Sequence, residues 1–144
     1  MKKIKAFVDG SYNASTKQIG AGIVLLDPST NKVIQEISVE VKNENVKRLR
    51  NVAGELSATM RAILFAEKKG YEEIEILYDY NGIAKWIGGE WKCKDIYTAA
   101  YRDFITKHQS KIVIKFKKVQ AHSGNKWNEV ADLLAKRACN NKIK

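Results

Sequence analysis

Cysteine, proline and long apolar runs are scarce in this sequence, and each scarcity removes a class of reading. Cys93 and Cys139 are the only cysteines. They show no metal-ligand spacing and no framework of pairs, so a disulfide scaffold and a zinc module are excluded, and both thiols read as structural bystanders in a reducing compartment. The longest apolar run is the stretch from Ala21 to Leu26, far too short to cross a bilayer. The basic start Met1-Lys2-Lys3-Ile4 leads into no apolar stretch of the signal-peptide kind, so a cytoplasmic protein with no membrane association is expected. Proline occurs once, at Pro28, and no linker, repeat or low-complexity tract interrupts the 144 residues. They are expected to fold as one domain, residues 1–144, with a core of its own. Acidic side chains are the minority charge: 16 Asp and Glu face 26 Lys and Arg, giving a net charge of +10 and a pI near 9.6. That balance favours a polyanionic partner, nucleic acid first, held through phosphate contacts and counterion release. The alternative is a lysine-rich chain whose charge only keeps it dispersed.

What is present is a regular alternation of element signals. Residues 4–9 and 20–26 read as β-strands, and 33–41 place Val33, Ile37, Val39 and Val41 on one face with Glu36, Ser38 and Glu40 opposite. The polar segment from Gly10 to Ile19 and the stretch Asp27-Pro28-Ser29-Thr30-Asn31 read as the intervening turns. From about Ala53 the period becomes helical, through Leu56, Met60, Ile63 and Leu64, and Lys68-Lys69-Gly70 supplies a basic last turn and a stop. A strand over 73–78, a short helix over 82–87, a helix over 95–108, a strand over 112–119 and a helix over 126–140 follow, with Asn125 a candidate N-cap. The string β-β-β-α-β-α-α-β-α predicts an α/β protein with a mixed sheet, antiparallel in its hairpin portion, and helices on its faces.

Four carboxylates stand out because they sit where element ends and helix faces converge. Asp9 closes the first predicted strand, Glu55 lies in the first turn of the first long helix, Asp79 ends the strand 73–78, and Asp132 sits beside the apolar stripe of the last helix. Each has a plainer reading: a turn at Asp9-Gly10, a dipole partner for Glu55, a strand-to-helix cap for Asp79, a surface charge for Asp132. Together they describe what two hard divalent cations about 3.5 to 4 Å apart need in order to clamp a phosphodiester.

At these residues the sequence resembles the type 1 ribonuclease H family, along nearly its whole length. Phe7-Val8-Asp9-Gly10-Ser11, Asn51-Val52-Ala53-Gly54-Glu55-Leu56, Tyr78-Asp79, and Ala121-His122-Ser123-Gly124-Asn125 through Asn128-Glu129-Val130-Ala131-Asp132 match the family's motifs in order and spacing. The resemblance implies a ribonuclease H-like fold, a five-stranded mixed sheet whose first three strands are antiparallel. It implies a metal-dependent endonuclease that hydrolyses the RNA strand of RNA/DNA hybrids with two Mg²⁺ ions, Mn²⁺ able to substitute, leaving 5′-phosphate and 3′-hydroxyl ends. Asp9, Glu55, Asp79 and Asp132 would be the metal ligands, with Asp9 touching both ions, and His122 would assist proton transfer or product departure. Ser11, Asn51 and Asn81 would sense 2′-hydroxyls, and Trp86, Trp91 and Lys92 would line a channel for the DNA strand. Simpler roles stand beside these: a helix cap for Asn51, a turn for Asn81, a core position for Trp86, a surface loop for His122. His108 reads as a solvated last-turn residue. The basic excursion that many relatives carry is reduced here to Glu90-Trp91-Lys92-Cys93-Lys94, no separate N-terminal hybrid-binding domain is expected, and the protein is expected to be monomeric. A binding module on the same fold and the nuclease core of a transposase or reverse transcriptase are the rival readings.

Overall fold

A computed structural model describes residues 2–80, 82–86, 89, 92, 95–119 and 126–140. Five strands and four helices follow one another as β1 (Lys3–Asn13), β2 (Gln18–Leu26), β3 (Val33–Glu40), α1 (Asn51–Lys68), β4 (Glu73–Tyr78), α2 (Gly82–Lys85), α3 (Ile96–His108), β5 (Val113–Lys118) and α4 (Lys126–Asn140), with a 3-10 turn at Glu44–Leu49 before α1. The sheet runs β3-β2-β1-β4-β5. β1 pairs antiparallel with β2 and β2 with β3, whereas β4 is parallel to both β1 and β5. The predicted ribonuclease H-like architecture is therefore present, with strands 3-2-1 antiparallel and two parallel additions.

Alternation along the strands sends side chains to two helix layers. Ile4, Ala6 and Val8 of β1 join Ile74, Ile76 and Tyr78 of β4 and Leu56, Ala62 and Ile63 of α1 in the larger core. Phe7 and Leu77 point the other way, into a smaller core with Ala131 and Leu134 of α4. β2 is buried at every position because it lies inside the sheet and is covered on both sides. α3 packs on α1 rather than on the sheet, and Tyr101 ties it to the short α2 by donating its hydroxyl to the Ile83 carbonyl at 2.6 Å.

Several expectations need correcting. β1 does not end at Asp9 but runs to Asn13, with Gly10, Ser11 and Tyr12 paired to Ala21, Gly20 and Ile19 of β2. α1 begins at Asn51, so Glu55 lies beyond the first turn, and the N-cap is Arg50 rather than Asn51. Val33 is exposed, since a register shift where β3 meets Leu25 and Leu26 takes it out of the face that Ile37 and Val39 share. His108 is buried, 7% exposed, with Nδ1 at 2.5 Å from Glu67 Oε2 and its ring stacked on Phe104. Trp86 is a core side chain packed against Tyr80, in line with its simpler reading. The expectations at Asn81, Trp91, His122, Asn125 and the excursion between Glu90 and Lys94, apart from Lys92, lie outside the described residues.

Candidate active site

The register of the parallel pair decides where two of the carboxylates meet. β1 and β4 align with Phe7 opposite Leu77, so two residues further along lie Asp9 and Asp79. This is the carboxyl end of β4, where its parallel pairing with β1 stops after Phe7 and β1 runs on paired with β2 alone, and the ends of parallel strands are where α/β sheets open a crevice. Asp79 is held there as Lys118 Nζ donates to its backbone carbonyl at 2.7 Å.

The helices bring the other two because the strand residues beneath them have no side chains. A Cβ on Gly10 would lie 2.1 Å from the Asn51 carbonyl oxygen and 2.4 Å from the Glu55 nitrogen, so α1 rests directly on β1 and carries Glu55 to Asp9. Likewise a Cβ on Gly22, the β2 partner of Asp9, would lie 2.2 Å from the Ala131 carbonyl oxygen. α4 therefore sits against the strand with Asp132 beside Asp9. Ligand oxygens of Asp9, Glu55 and Asp79 all lie within 4.8 Å of one another, and Asp132 makes a side-chain hydrogen bond with Asp9. The four line a cavity of about 320 Å³ with Gly10, Asn51, Tyr80, Asn128 and Glu129.

Crowding shows in the protonation of these groups. Burial, then the neighbouring Asp79 and Asp132 carboxylates, push the Asp9 carboxyl from its ordinary 3.8 to about 8, against the Gly10 N–H, which donates to it at 2.8 Å. Glu55, only 2% exposed, is pushed well above the usual carboxylate range by burial and by Asp79 and Asp9. The Tyr80 N–H, donating to Glu55 Oε2 at 3.3 Å, offsets part of that. Such a cluster keeps either a proton or a cation. Its donors are all hard oxygens, the set that suits Mg²⁺ or Mn²⁺. Asp9, Glu55 and Asp79, whose ligand oxygens converge, are the residues that would hold such an ion. A larger cavity, about 540 Å³ between the turn at 44–49 and the start of α3, offers one carboxylate, Asp95. That group already caps α3 through the Tyr97 and Thr98 N–H groups and pairs with Arg48.

A family model described as RNase H matches residues 1–140. The chain belongs to the RNase H family. Among sequence relatives, the ribonuclease HI of Haemophilus ducreyi is 30% identical over 151 residues, covering 98% of this chain and 93% of its own. A ribonuclease H of Syntrophomonas wolfei is 27% identical over 149 residues, covering 96% and 97%. Among solved structures, RNase H1 from the halophilic archaeon Halobacterium salinarum superposes with a TM-score of 0.80 at 20% identity over 96% of this chain and 98% of that one. LC11-RNase H1 in complex with an RNA/DNA hybrid gives 0.79 at 20% identity over 98% and 99%. As a member of this family the protein is a nuclease, and the acidic triad is where a metal ion could bind.

The other predicted site residues are placed unequally. Asn51 is exposed at the cavity wall, Ser11 is half-buried in the extension of β1, and Lys92 is exposed. Sequence reasoning missed Tyr80 and Asn128 as cavity residues. Both had a signal: Tyr80 follows Asp79 directly, and Asn128 precedes Asp132 by one helical turn and so shares its face. No helix among the described residues is long and apolar enough to cross a membrane.

Proposed function

We propose that this chain hydrolyses the RNA strand of RNA/DNA hybrids, with two divalent cations, Mg²⁺ by preference, held by Asp9, Glu55, Asp79 and Asp132. The observation that carries the reading is the convergence of Asp9, Glu55 and Asp79 within 4.8 Å, in a basic chain of the RNase H family. A structural relative seen with an RNA/DNA hybrid supports the substrate class.

When bound, the cations supply a nucleophilic water and stabilise the departing ribose 3′-oxygen. The chain's own groups do the rest. Asp9, whose carboxyl is pushed up by both Asp79 and Asp132, would be a ligand to both ions, and Glu55, Asp79 and Asp132 would supply the remaining carboxylates. Water oxygen bonds to phosphorus as the bond to the 3′-oxygen breaks, giving 5′-phosphate and 3′-hydroxyl ends. His122 would carry a proton or ease product departure, a task that an imidazole suits near neutral pH. Asn51 and Ser11, with Asn81, would read 2′-hydroxyls across the shallow minor groove, and Trp91 and Lys92 would receive the DNA strand.

The test is cleavage of an end-labelled RNA/DNA hybrid, single-stranded RNA, duplex RNA and duplex DNA, each with Mg²⁺, Mn²⁺ or EDTA, by the protein and by Asp79→Asn. Metal-dependent RNA cleavage confined to the hybrid and lost in the variant is expected. Tight hybrid binding without cleavage in either metal would overturn the reading in favour of a binding module.

A further inference from the structure

Among the described residues, Asp132 differs from the other three carboxylates in already having a cation. Lys136 Nζ lies 3.0 Å from Asp132 Oδ2, one helical turn further along α4, so both side chains project from the same helix face and the ammonium sits beside a carboxylate that lines the cavity. Asp132 stands outside the group of three whose ligand atoms lie within 4.8 Å, yet it shares their cavity and hydrogen-bonds Asp9. The cluster is thus divided. A divalent ion entering among Asp9, Glu55 and Asp79 takes the place of protons but has no ammonium to displace among the described residues. One bridging Asp9 and Asp132 must first take Asp132 from the ammonium.

We infer that Lys136 is a tethered counter-cation that competes with the second divalent ion for Asp132, and so sets the order and the relative affinity of the two binding steps. The inference rests on the metal reading proposed above. It makes Lys136 a positioning residue: the side chain acts through Asp132 and is itself 57% exposed, so replacing it leaves the core untouched. An exposed one-turn pair of this kind carries little stability, and its worth to cation binding is correspondingly a matter of about two- to fivefold. Arginine at the same place keeps the charge and the competition, whereas glutamine removes both.

The experiment is calorimetric titration of Mn²⁺ into the metal-free protein, Lys136→Gln, Lys136→Arg and, as a control for loss of one distant positive charge, Lys115→Gln. Lys115 is similarly exposed and pairs with Glu73, away from the cavity. Two steps are expected in the parent. In Lys136→Gln the weaker step tightens about two- to fivefold while the first changes by less than about 1.5-fold, and Lys136→Arg and Lys115→Gln follow the parent. The Mn²⁺ concentration for half-maximal cleavage falls in parallel. A weaker step unchanged in Lys136→Gln or equal tightening in the Lys115 control overturns the inference while leaving the metal reading standing, and a single step in the parent overturns it together with the two-ion part of that reading. No Mn²⁺ binding by the parent would overturn both.

Discussion

Asp9 and Glu55 are held with their carboxyl groups shifted upward, Asp9 from 3.8 to about 8, by burial first and by the neighbouring carboxylates second. A carboxyl that keeps its proton in the fold but loses it in the unfolded chain makes stability fall as pH rises from the unfolded value to the folded one. In EDTA the melting temperature is therefore expected to drop between about pH 4 and about pH 8 and to level off above, while saturating Mg²⁺ flattens the profile by taking the place of the proton. Thermal melts with and without the metal check this, and a flat profile in EDTA would show that the cluster is not crowded. Removing one of the repelling charges relieves the others: Asp79→Asn is expected to raise the metal-free melting temperature by a few degrees, about 1–2 kcal/mol, while abolishing cleavage. Gly10 is the opposite kind of residue, with no charge and no side chain, yet it sets the distance from Asp9 to Glu55. In Gly10→Ala the new methyl overlaps the Asn51 carbonyl, so α1 must lift off β1. A loss of about 2–3 kcal/mol in denaturant unfolding is expected, with weakened metal binding, because overpacking is relieved only by moving backbone.

At the scale of elements, strands β2 to β5 and the two long α-helices that cover the sheet were legible because each keeps one periodicity and ends on a recognisable stop. The outer half of β1 was not. Gly10-Ser11-Tyr12-Asn13 has the composition of a turn, and what makes it a strand is backbone pairing to Gln18 through Ala21, which no pattern in β1 itself announces. The carboxylates were legible as residues, since they fall at motif positions, but not as an arrangement. The Gly10 and Gly22 contacts that bring the helices down are tertiary facts. His108 was misread for a related reason: its basic, C-terminal place suggested solvent, although Thr98, Tyr101, Ile105 and His108 recur at helical spacing and form the buried stripe of α3. Its ring stacks on Phe104 of the same helix and joins α3 to α1 through Glu67. His108→Ala is accordingly expected to destabilise the protein by about 1–2 kcal/mol, leaving a Glu67 carboxylate without this partner in a partly covered site. Because the pair lies on the α1–α3 contact and not in the carboxylate cavity, kcat at a temperature well below melting should be unchanged. A large loss of kcat in folded His108→Ala would place this helix pair in the catalytic machinery instead.

For the molecule as a whole, the question is how a chain with a net charge of +10 keeps its few acids where they are useful. Part of the answer is segregation. Five of the sixteen acidic residues, Glu129 among them, line one cavity at the end of the parallel strands, while exposed lysines such as Lys115, Lys117 and Lys118 lie on the edge strand β5. Several other acids are tied in pairs, Glu73 with Lys3 and Lys115, Asp95 with Arg48. A polyanion is therefore drawn to the protein by the surface at large but meets negative charge at the one place where a divalent cation can be interposed. Attraction and chemistry should then separate experimentally. If roughly four phosphates are neutralised on binding, affinity for a hybrid should fall with a log–log salt slope of about −3 to −4, or about a hundredfold between 50 and 200 mM salt. Duplex DNA should show nearly the same slope, because the screened charges are not those that read the sugar. Asp79→Asn should bind the hybrid in EDTA at least as tightly as the parent, since it removes a like charge from the path of the phosphate. Fluorescence anisotropy over a salt series, with both duplexes and both proteins, measures all three. A hybrid slope much steeper than that for duplex DNA would mean that recognition of the RNA strand is itself electrostatic, and the division between surface and cavity would have to be redrawn.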